Sequence, residues 1–209
     1  MSLPSHVDVV IVGGGVMGTS AAFHLAEAGV SVLLCEKSEL ASGSTSKAAG
    51  GVRANFSDEF NVALGARSLD LFAEFKSRPG YEIDLHRSGY LFALTKQKDV
   101  ELFESSTKIH NQFNVESRML TPSEAGKISP LLNTKDLIAA SFTPNDGHCT
   151  PEAVVLGYAG GAKKLGATVL TNTEVTGIKL NGDEITSVTT SAGEIKTGTV
   201  INCAGAWSP

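Results

Sequence analysis

Residues 7–36 read VDVVIVGGGVMGTSAAFHLAEAGVSVLLCE, and no other stretch of the chain restricts its fold as tightly. Val7, Val9, Val10, Ile11 and Val12 make a β-branched apolar run, the pattern of a strand buried on both faces. The run breaks into Gly13-Gly14-Gly15-Val16-Met17-Gly18, which matches G-x-G-x-x-G. An alanine-rich helical pattern follows to Ala28 and stops at Gly29, where a left-handed cap belongs. A second apolar strand over residues 30–35 delivers Glu36. Three neighbouring glycines alone make an ordinary turn. Strand, glycines, helix and acid-tipped strand in this order predict a βαβ unit for an adenine dinucleotide. Gly13 would permit the tight turn, Gly15 the approach of a pyrophosphate, and Gly18 the close packing of helix on strand. The helix start at Val16 and Met17 points free N–H groups and a partial positive charge at phosphate. Glu36 follows Gly13 by 23 residues, near the ~20 expected of a carboxylate that accepts from a ribose hydroxyl.

Composition narrows the class further. Of 209 residues, 42% are hydrophobic and 19% charged, which is ordinary for a globular chain. The net charge of −5 and the lack of Lys/Arg runs argue against a nucleic-acid surface, which needs a basic stripe. Cys35, Cys149 and Cys203 are isolated and odd in number, so neither a disulfide framework nor a zinc site is indicated, and no metal is expected. Residues 1–6 lack the basic and apolar regions of a secretory signal, and no apolar run nears the ~20 residues of a membrane span. A reduced, cytoplasmic location is the expectation.

Residues 37–51, KSELASGSTSKAAGG, are small and hydroxylated. By composition this is a flexible loop, yet it directly follows the predicted ribose-binding acid, where small side chains let backbone N–H groups reach a flat ring. Arg53 stands at its end with no acidic neighbour before Asp58. It reads either as a solvated arginine or as a bidentate holder of an anionic substrate group.

Together GGGVMG, Glu36 and ASGSTSKAAGGVRANF resemble the amino-terminal part of the FAD-dependent amine and amino-acid oxidoreductases, the D-amino-acid oxidase superfamily. Within it the likeness is to the branch of sarcosine oxidase β-subunits and dimethylglycine dehydrogenases. It continues through Gly89-Tyr90-Leu91-Phe92, Asp146-Gly147 and the final NCAGAW, and so covers almost the whole chain. The resemblance implies FAD as the dinucleotide. It implies that Lys37, Ser42, Gly43, Ser44, Thr45, Ala49, Gly50 and Gly51 join Gly13, Gly14, Gly15, Val16, Met17, Gly18 and Glu36 in holding it. By the same resemblance Val175 meets the adenine, Ala204 and Gly205 lie near the adenosine and pyrophosphate, and Arg53 contacts a substrate carboxylate. Trp207, a single aromatic at a strand end, reads either as packing or as a ring that stacks on the cofactor. Some members attach flavin covalently to His or Cys, and residues 37–58 contain neither.

Phe60, Leu64, Leu71, Phe72 and Phe75 predict a packed helix over residues 58–76, capped by Ser57 or Asp58. Arg78-Pro79-Gly80 breaks it. A strand over 89–95, a charged helix over 97–113, a short helix after Thr121-Pro122 and a strand over 139–142 follow, in what the resemblance makes part of a substrate domain. His86 and His110 read as structural or solvent-facing. Thr150-Pro151-Glu152 predicts a helix start with Thr150 as cap, and the helix runs to Leu165. Strands over 168–180 and 184–190 join through Asn181-Gly182-Asp183, and a last strand spans 198–203.

The fold expected is α/β: a Rossmann-like FAD-binding domain in two parts, residues 1–80 and 149–209, interrupted by part of a mixed-sheet substrate domain over 81–148. The resemblance implies oxidation of the C–N bond of a small secondary or primary amino acid of the sarcosine, dimethylglycine, glycine or proline type. No residue of this chain stands out as a catalytic acid or base. The alternatives are another flavin dehydrogenase of the same fold, acting on a 2-hydroxy acid or glycerol 3-phosphate, and a nucleotide-binding remnant without catalysis. A complete member would be roughly twice as long. The chain is thus expected to be an amino-terminal part, inactive alone, with other residues or subunits completing the site or accepting electrons.

Overall fold

A computed structural model describes residues 3–208. Met1 and Ser2, part of the segment scanned for a leader, and Pro209, which ends the expected 149–209 part, lie outside the described residues. In chain order the elements are β1 (Val9–Val12), α1 (Val16–Glu27), β2 (Val32–Cys35), β3 (Gly51–Val52), α2 (Glu59–Ala73), β4 (Tyr90–Leu94), α3 (Gln97–Gln112), β5 (Arg118–Leu120), α4 (Pro122–Ile128), β6 (Ala139–Thr143), β7 (Gly147–His148), α5 (Pro151–Lys164), β8 (Thr168–Leu170), β9 (Val175–Asn181), β10 (Glu184–Thr190), β11 (Gly193–Lys196) and β12 (Thr199–Asn202), with 3₁₀ turns at Thr45–Lys47 and Gly205–Trp207. They form two compact units, one of residues 1–49, 75–83 and 150–209 and the other of 50–74 and 84–149. Packing therefore places 50–74 with the insert, whereas the functional division expected from the sequence puts residues up to 80 in its first part.

The first unit is built on a parallel sheet in the order β12-β1-β2-β8. Val10 sits in register with Leu33 on one side and Val200 on the other. Side chains alternate across the sheet. Val7, Val10, Leu33 and Cys35 pack one way onto Val188 and Ile195 of the antiparallel sheet β11-β10-β9. The other face meets α1, and α5 lies against α1. Ile11, Leu33 and Leu34 are wholly buried, each contributing about 1.5–3 kcal/mol. Small residues bring the helices together: a Cβ on Gly161 would come within 2.9 Å of the Phe23 ring, and Tyr158 packs on Phe23 and Phe75 at centroid distances of 5.6 and 4.8 Å.

The second unit carries the antiparallel sheet β4-β6-β5 and the short pair β3-β7. On one face Leu120, Ala140 and Phe142 pack with Ala125 of α4. On the other, Phe92 meets Phe103 of α3 at 5.1 Å. Phe92 and Tyr90 are the cross-strand partners of Ser141 and Thr143, so these four share that face. Val62 and Leu69 of α2 pack with Ala54 and Val115.

Three expectations are corrected. The helix over 58–76 forms as α2 with Asp58 as cap, its carboxylate accepting from Asn61 N–H at 3.0 Å. Its buried face is Val62, Gly65 and Leu69, while Phe60 and Leu64 are 76% and 55% exposed; one helical turn carries both stripes, and packing selects the slimmer one. The strand over 168–180 is two strands in two sheets. It breaks at 171–174, where Asn172 takes a positive φ of 52° and its N–H bonds Ser38 O. Thr150 occupies the N-cap of α5 and Pro151 its first turn, but the Thr150 side chain makes no capping bond to the helix.

Candidate functional site

In the first unit β1 runs into the glycine turn and α1 leaves it. Gly13 has φ +108°, a conformation open to glycine, and a Cβ there would also run into the Cys203 carbonyl. A Cβ on Gly18 would overlap the Gly13 carbonyl oxygen. Gly15 is different: a Cβ there would meet only Thr45 Oγ1, at 3.4 Å, an ordinary contact. The open side of Gly15 lies at the N-terminus of α1, whose cap makes no side-chain bond and whose first turn holds no acid. Val16 N–H donates to Thr45 Oγ1 at 3.2 Å. Val16 is half-buried and Met17 is 71% exposed. This is a positively polarised helix end with room in front of it, the cradle a pyrophosphate needs.

Glu36 follows β2, and its carboxylate already works for the protein. Oε2 accepts from Gly14 N–H at 2.7 Å and Oε1 from Ser38 N–H at 2.8 Å. Gly14 in turn admits no side chain, because its Cβ would stand 2.6 Å from Leu40 Cδ2 and 2.8 Å from Glu36 Cβ. A carboxylate has about four acceptor positions, so two bonds leave capacity for a hydroxyl. Neither the support of Gly14 nor its tight packing was readable from the motif spacing.

Residues 37–49 fold back over the helix start. Ala41 N–H donates to Gly14 O at 3.0 Å and Ser46 N–H to Ala41 O at 3.1 Å, with Ala41 itself at φ +64°. Ser42 and Ser44 flank Gly43, against whose bare Cα the Trp207 ring packs: an added Cβ would approach it to 3.1 Å. Lys37 Nζ stands 5.7 Å from the centroid of the same ring. Trp207 closes the 3₁₀ turn that begins at Gly205 and donates its N–H to Ala204 O at 3.3 Å. Cys203 N–H, just before, bonds Val12 O. Val175 begins β9, two residues after Thr173, whose N–H donates to Glu36 O at 2.8 Å. The structure thus gathers Gly13–Gly18, Glu36, Lys37, 42–45, Val175 and 204–207 at the carboxyl ends of β1, β2 and β12, the end of an α/β sheet where ligands bind. Ala49 ends this unit's first segment. Burial pushes the Cys35 thiol up to about 11, which keeps it neutral. Among the described residues no group of three or more His, Cys, Asp or Glu is placed for a metal, and no helix is long and apolar enough to cross a membrane.

In the second unit Gly50 takes φ +77°, and the Tyr90 hydroxyl lies where a Cβ on Gly51 would be. Arg53 is exposed, and its guanidinium carbon sits 5.3, 5.7 and 5.6 Å from the ring centroids of Phe56, Tyr90 and Phe92. Three rings within cation–π range hold the side chain in place. Among the described residues no carboxylate pairs with it. His110 is fully buried and donates from Nε2 to Phe56 O at 2.7 Å, a structural histidine as expected. His86 is exposed against Asp84 at 2.8 Å.

The chain matches the family described as FAD dependent oxidoreductase over residues 8–209. It belongs to that family. FAD is the cofactor of these flavoproteins. The chain is 32% identical over 203 residues to mitochondrial dimethylglycine dehydrogenase of Mus musculus, covering 96% of this chain and 23% of that protein. It is 28% identical to sarcosine oxidase subunit beta of Rhodobacter capsulatus, covering 91% of this chain and 48% of that one. Among solved structures, L-proline dehydrogenase from P. horikoshii superposes with a TM-score of 0.93 at 38% identity, over 98% of this chain and 54% of that one. The chain thus spans about a quarter of the first relative's length and about half of the other two.

Proposed function

We propose that the protein oxidises the C–N bond of a small secondary or primary amino acid, of the sarcosine, dimethylglycine, glycine or proline type. The observation that carries this reading is Arg53: an exposed guanidinium framed by three rings, with no ion pair to a carboxylate among the described residues. A planar fork fixed in this way suits bidentate binding of a substrate carboxylate. The names of the relatives, which act on dimethylglycine, sarcosine or proline, support the same substrate class.

In this reading the first unit is the FAD-binding domain and the second the partial substrate domain. Gly13, Gly14, Gly15, Val16, Met17 and Gly18 hold the pyrophosphate, Glu36 and Lys37 the adenosine ribose, and Val175 the adenine. Ser42, Gly43, Ser44 and Thr45, with Ala49, Gly50 and Gly51, serve the flavin end. Ala204, Gly205 and Trp207 close over the adenosine and pyrophosphate. When bound, FAD supplies the acceptor for the hydride lost from the carbon beside nitrogen. The imine left behind is hydrolysed by water. Arg53 orients the substrate through its carboxylate and does no proton transfer. Further subunits that complete the site or take up electrons belong to the proposal, since one relative is itself named a β-subunit. So does a reducing compartment, cytoplasmic in our reading, since Cys35, Cys149 and Cys203 are free thiols.

The test is turnover by the full-length protein. Sarcosine, dimethylglycine, glycine and proline should reduce its flavin, and Arg53→Ala should raise KM for the best of them at unchanged FAD content. Turnover of a 2-hydroxy acid with all four amines inert would overturn the substrate class. Loss of FAD at unchanged KM would move Arg53 to the cofactor.

A further inference from the structure

Arg53 is exposed, yet the chain on both sides of it is fixed from below. Val52 pairs with Gly147 across β3 and β7. Ala54 and Asn55 are buried, at 0% and 6% exposure. Ala54 N–H donates to Asp146 Oδ1 at 2.9 Å, and the Asn55 N–H also pulls electrostatically on that carboxylate. Asn55 Nδ2 donates to Thr143 Oγ1 at 2.7 Å, and Phe56 O accepts from His110 Nε2 at 2.7 Å. Residues 146 and 147 therefore grip the residue before Arg53 and the two after it. Asp146 also reaches the rings around the guanidinium: its carbonyl accepts from Gly89 N–H at 2.8 Å, one residue before Tyr90.

A carboxylate is a costly choice for this position. Asp146 is 0% exposed, and Oδ2 has no hydrogen-bond partner among the described residues. Removing a charge from water is unfavourable unless its bonds repay it, and a neutral acceptor would hold one N–H as well. What the carboxylate adds is negative charge at Oδ1, which strengthens the bond from Ala54 N–H beyond what a neutral amide oxygen would give. Residues that break a local stability rule concentrate at functional sites. We infer that Asp146 is a positioning residue for substrate binding, which sets the backbone of residues 53–56 and, through Gly89, the Tyr90 ring, so that Arg53 meets a carboxylate in one orientation. This inference rests on the reading of Arg53 as the carboxylate-binding residue.

The experiment uses the full-length, FAD-loaded protein with Asp146→Ala, Asp146→Asn, Arg53→Ala and the double variant Arg53→Ala/Asp146→Ala. Two quantities are measured: KM for the best amino-acid substrate, and the inhibition constant of propionate, a carboxylate without the amine. FAD content and the thermal midpoint are recorded beside them. Asp146→Ala should raise both constants about tenfold, the scale of an unmade buried bond, with kcat and FAD content little changed. Asp146→Asn, which keeps an acceptor oxygen but not the charge, should recover part of the loss. In the Arg53→Ala background Asp146→Ala should change neither constant further, because the residue it positions is gone. Should Asp146→Ala fail to fold, Asp146→Asn carries the test. Parent-like constants in Asp146→Asn, or equal effects of Asp146→Ala with and without Arg53, overturn the inference. Parent-like constants in Arg53→Ala overturn instead the reading on which it rests.

Discussion

Gly15 and Gly18 occupy the same motif, yet the structure predicts opposite consequences for adding one methyl group to each. At Gly18 the new Cβ overlaps the Gly13 carbonyl oxygen, a backbone atom in a tight turn that cannot rotate away. Overpacking of this kind costs about 1–3 kcal/mol or more, and here the turn and the helix entry must both shift. At Gly15 the backbone is already extended, at φ −79° and ψ −174°, and the Cβ meets Thr45 Oγ1 at 3.4 Å and nothing else. Alanine is a poorer N-cap than glycine, but it also restricts the unfolded chain, so the net change in stability stays within about 1 kcal/mol. The same Cβ stands where a phosphate oxygen would approach the helix end. Loss of one hydrogen bond to a charged group is worth about 1.5–3 kcal/mol, or about 10–100-fold in affinity. Urea unfolding of the apoprotein and titration with FAD separate the two effects. Gly15→Ala should unfold near the parent midpoint and bind FAD at least about tenfold more weakly, while Gly18→Ala should unfold early. Parent-like FAD affinity in Gly15→Ala would refute the reasoning, and so would destabilisation equal to that of Gly18→Ala.

Glu36→Ala strips the acceptors from Gly14 N–H and Ser38 N–H, so it should lower apoprotein stability and weaken FAD binding, each by about 1–3 kcal/mol. Glu36→Gln should retain part of both in the same urea and FAD titrations, whereas equal FAD affinity in Glu36→Ala would remove Glu36 from the cofactor contacts. Burial holds the Asp146 carboxyl above the usual aspartate range, against the opposing pull of the Ala54 and Asn55 N–H donors. The folded state therefore binds this proton more tightly than the unfolded one, and the associated stability, present below about pH 3.9, is lost as pH rises through the folded-state value. Asp146→Asn lacks that loss, so its stability relative to the parent, measured by urea unfolding, should rise with pH over this window and then level off; a flat difference would show that the carboxyl is not perturbed.

Much of the first unit was legible because its signals are local. The runs of β-branched residues, the Gly13–Gly18 spacing and the acid at Glu36 each fit within one βαβ unit, and β1, α1 and β2 form there. Long-range pairing was less legible. Residues 168–180 are rich enough in β-formers to read as one strand, and only Asn172 and Glu174, residue types sparse in strands, mark the break at 171–174. That break exists because Asn172 N–H bonds Ser38 O and Asn172 Nδ2 bonds Glu39 Oε1, residues far apart in sequence. On α2 the large side chains Phe60 and Leu64 dominate the apolar pattern. Gly65 nevertheless faces inward, because a Cβ there would come within 2.8 Å of Ala54 Cα and no larger residue fits. Hydrophobicity ranks side chains by size, whereas close backbone approach selects the smallest.

The candidate site divides along the same line. The residues proposed to meet the cofactor were found as motif positions, but the groups that hold those positions were not. Gly14 N–H is bonded by Glu36, which spacing had assigned to a ribose alone; its two oxygens each accept one N–H and keep acceptor capacity for the proposed hydroxyl. Asp146 lies 92 residues from the Ala54 N–H it accepts. In the sequence it is an acid before a glycine, a turn signal like Asn181-Gly182-Asp183. What separates it from an ordinary turn residue is its complete burial beneath the segment that carries the Arg53 guanidinium, and burial is a property of the tertiary fold. Residues that touch a ligand are constrained by the ligand's chemistry and recur at fixed spacings. Residues that position them are constrained only by where the backbone passes, and for these the fold has to be seen first.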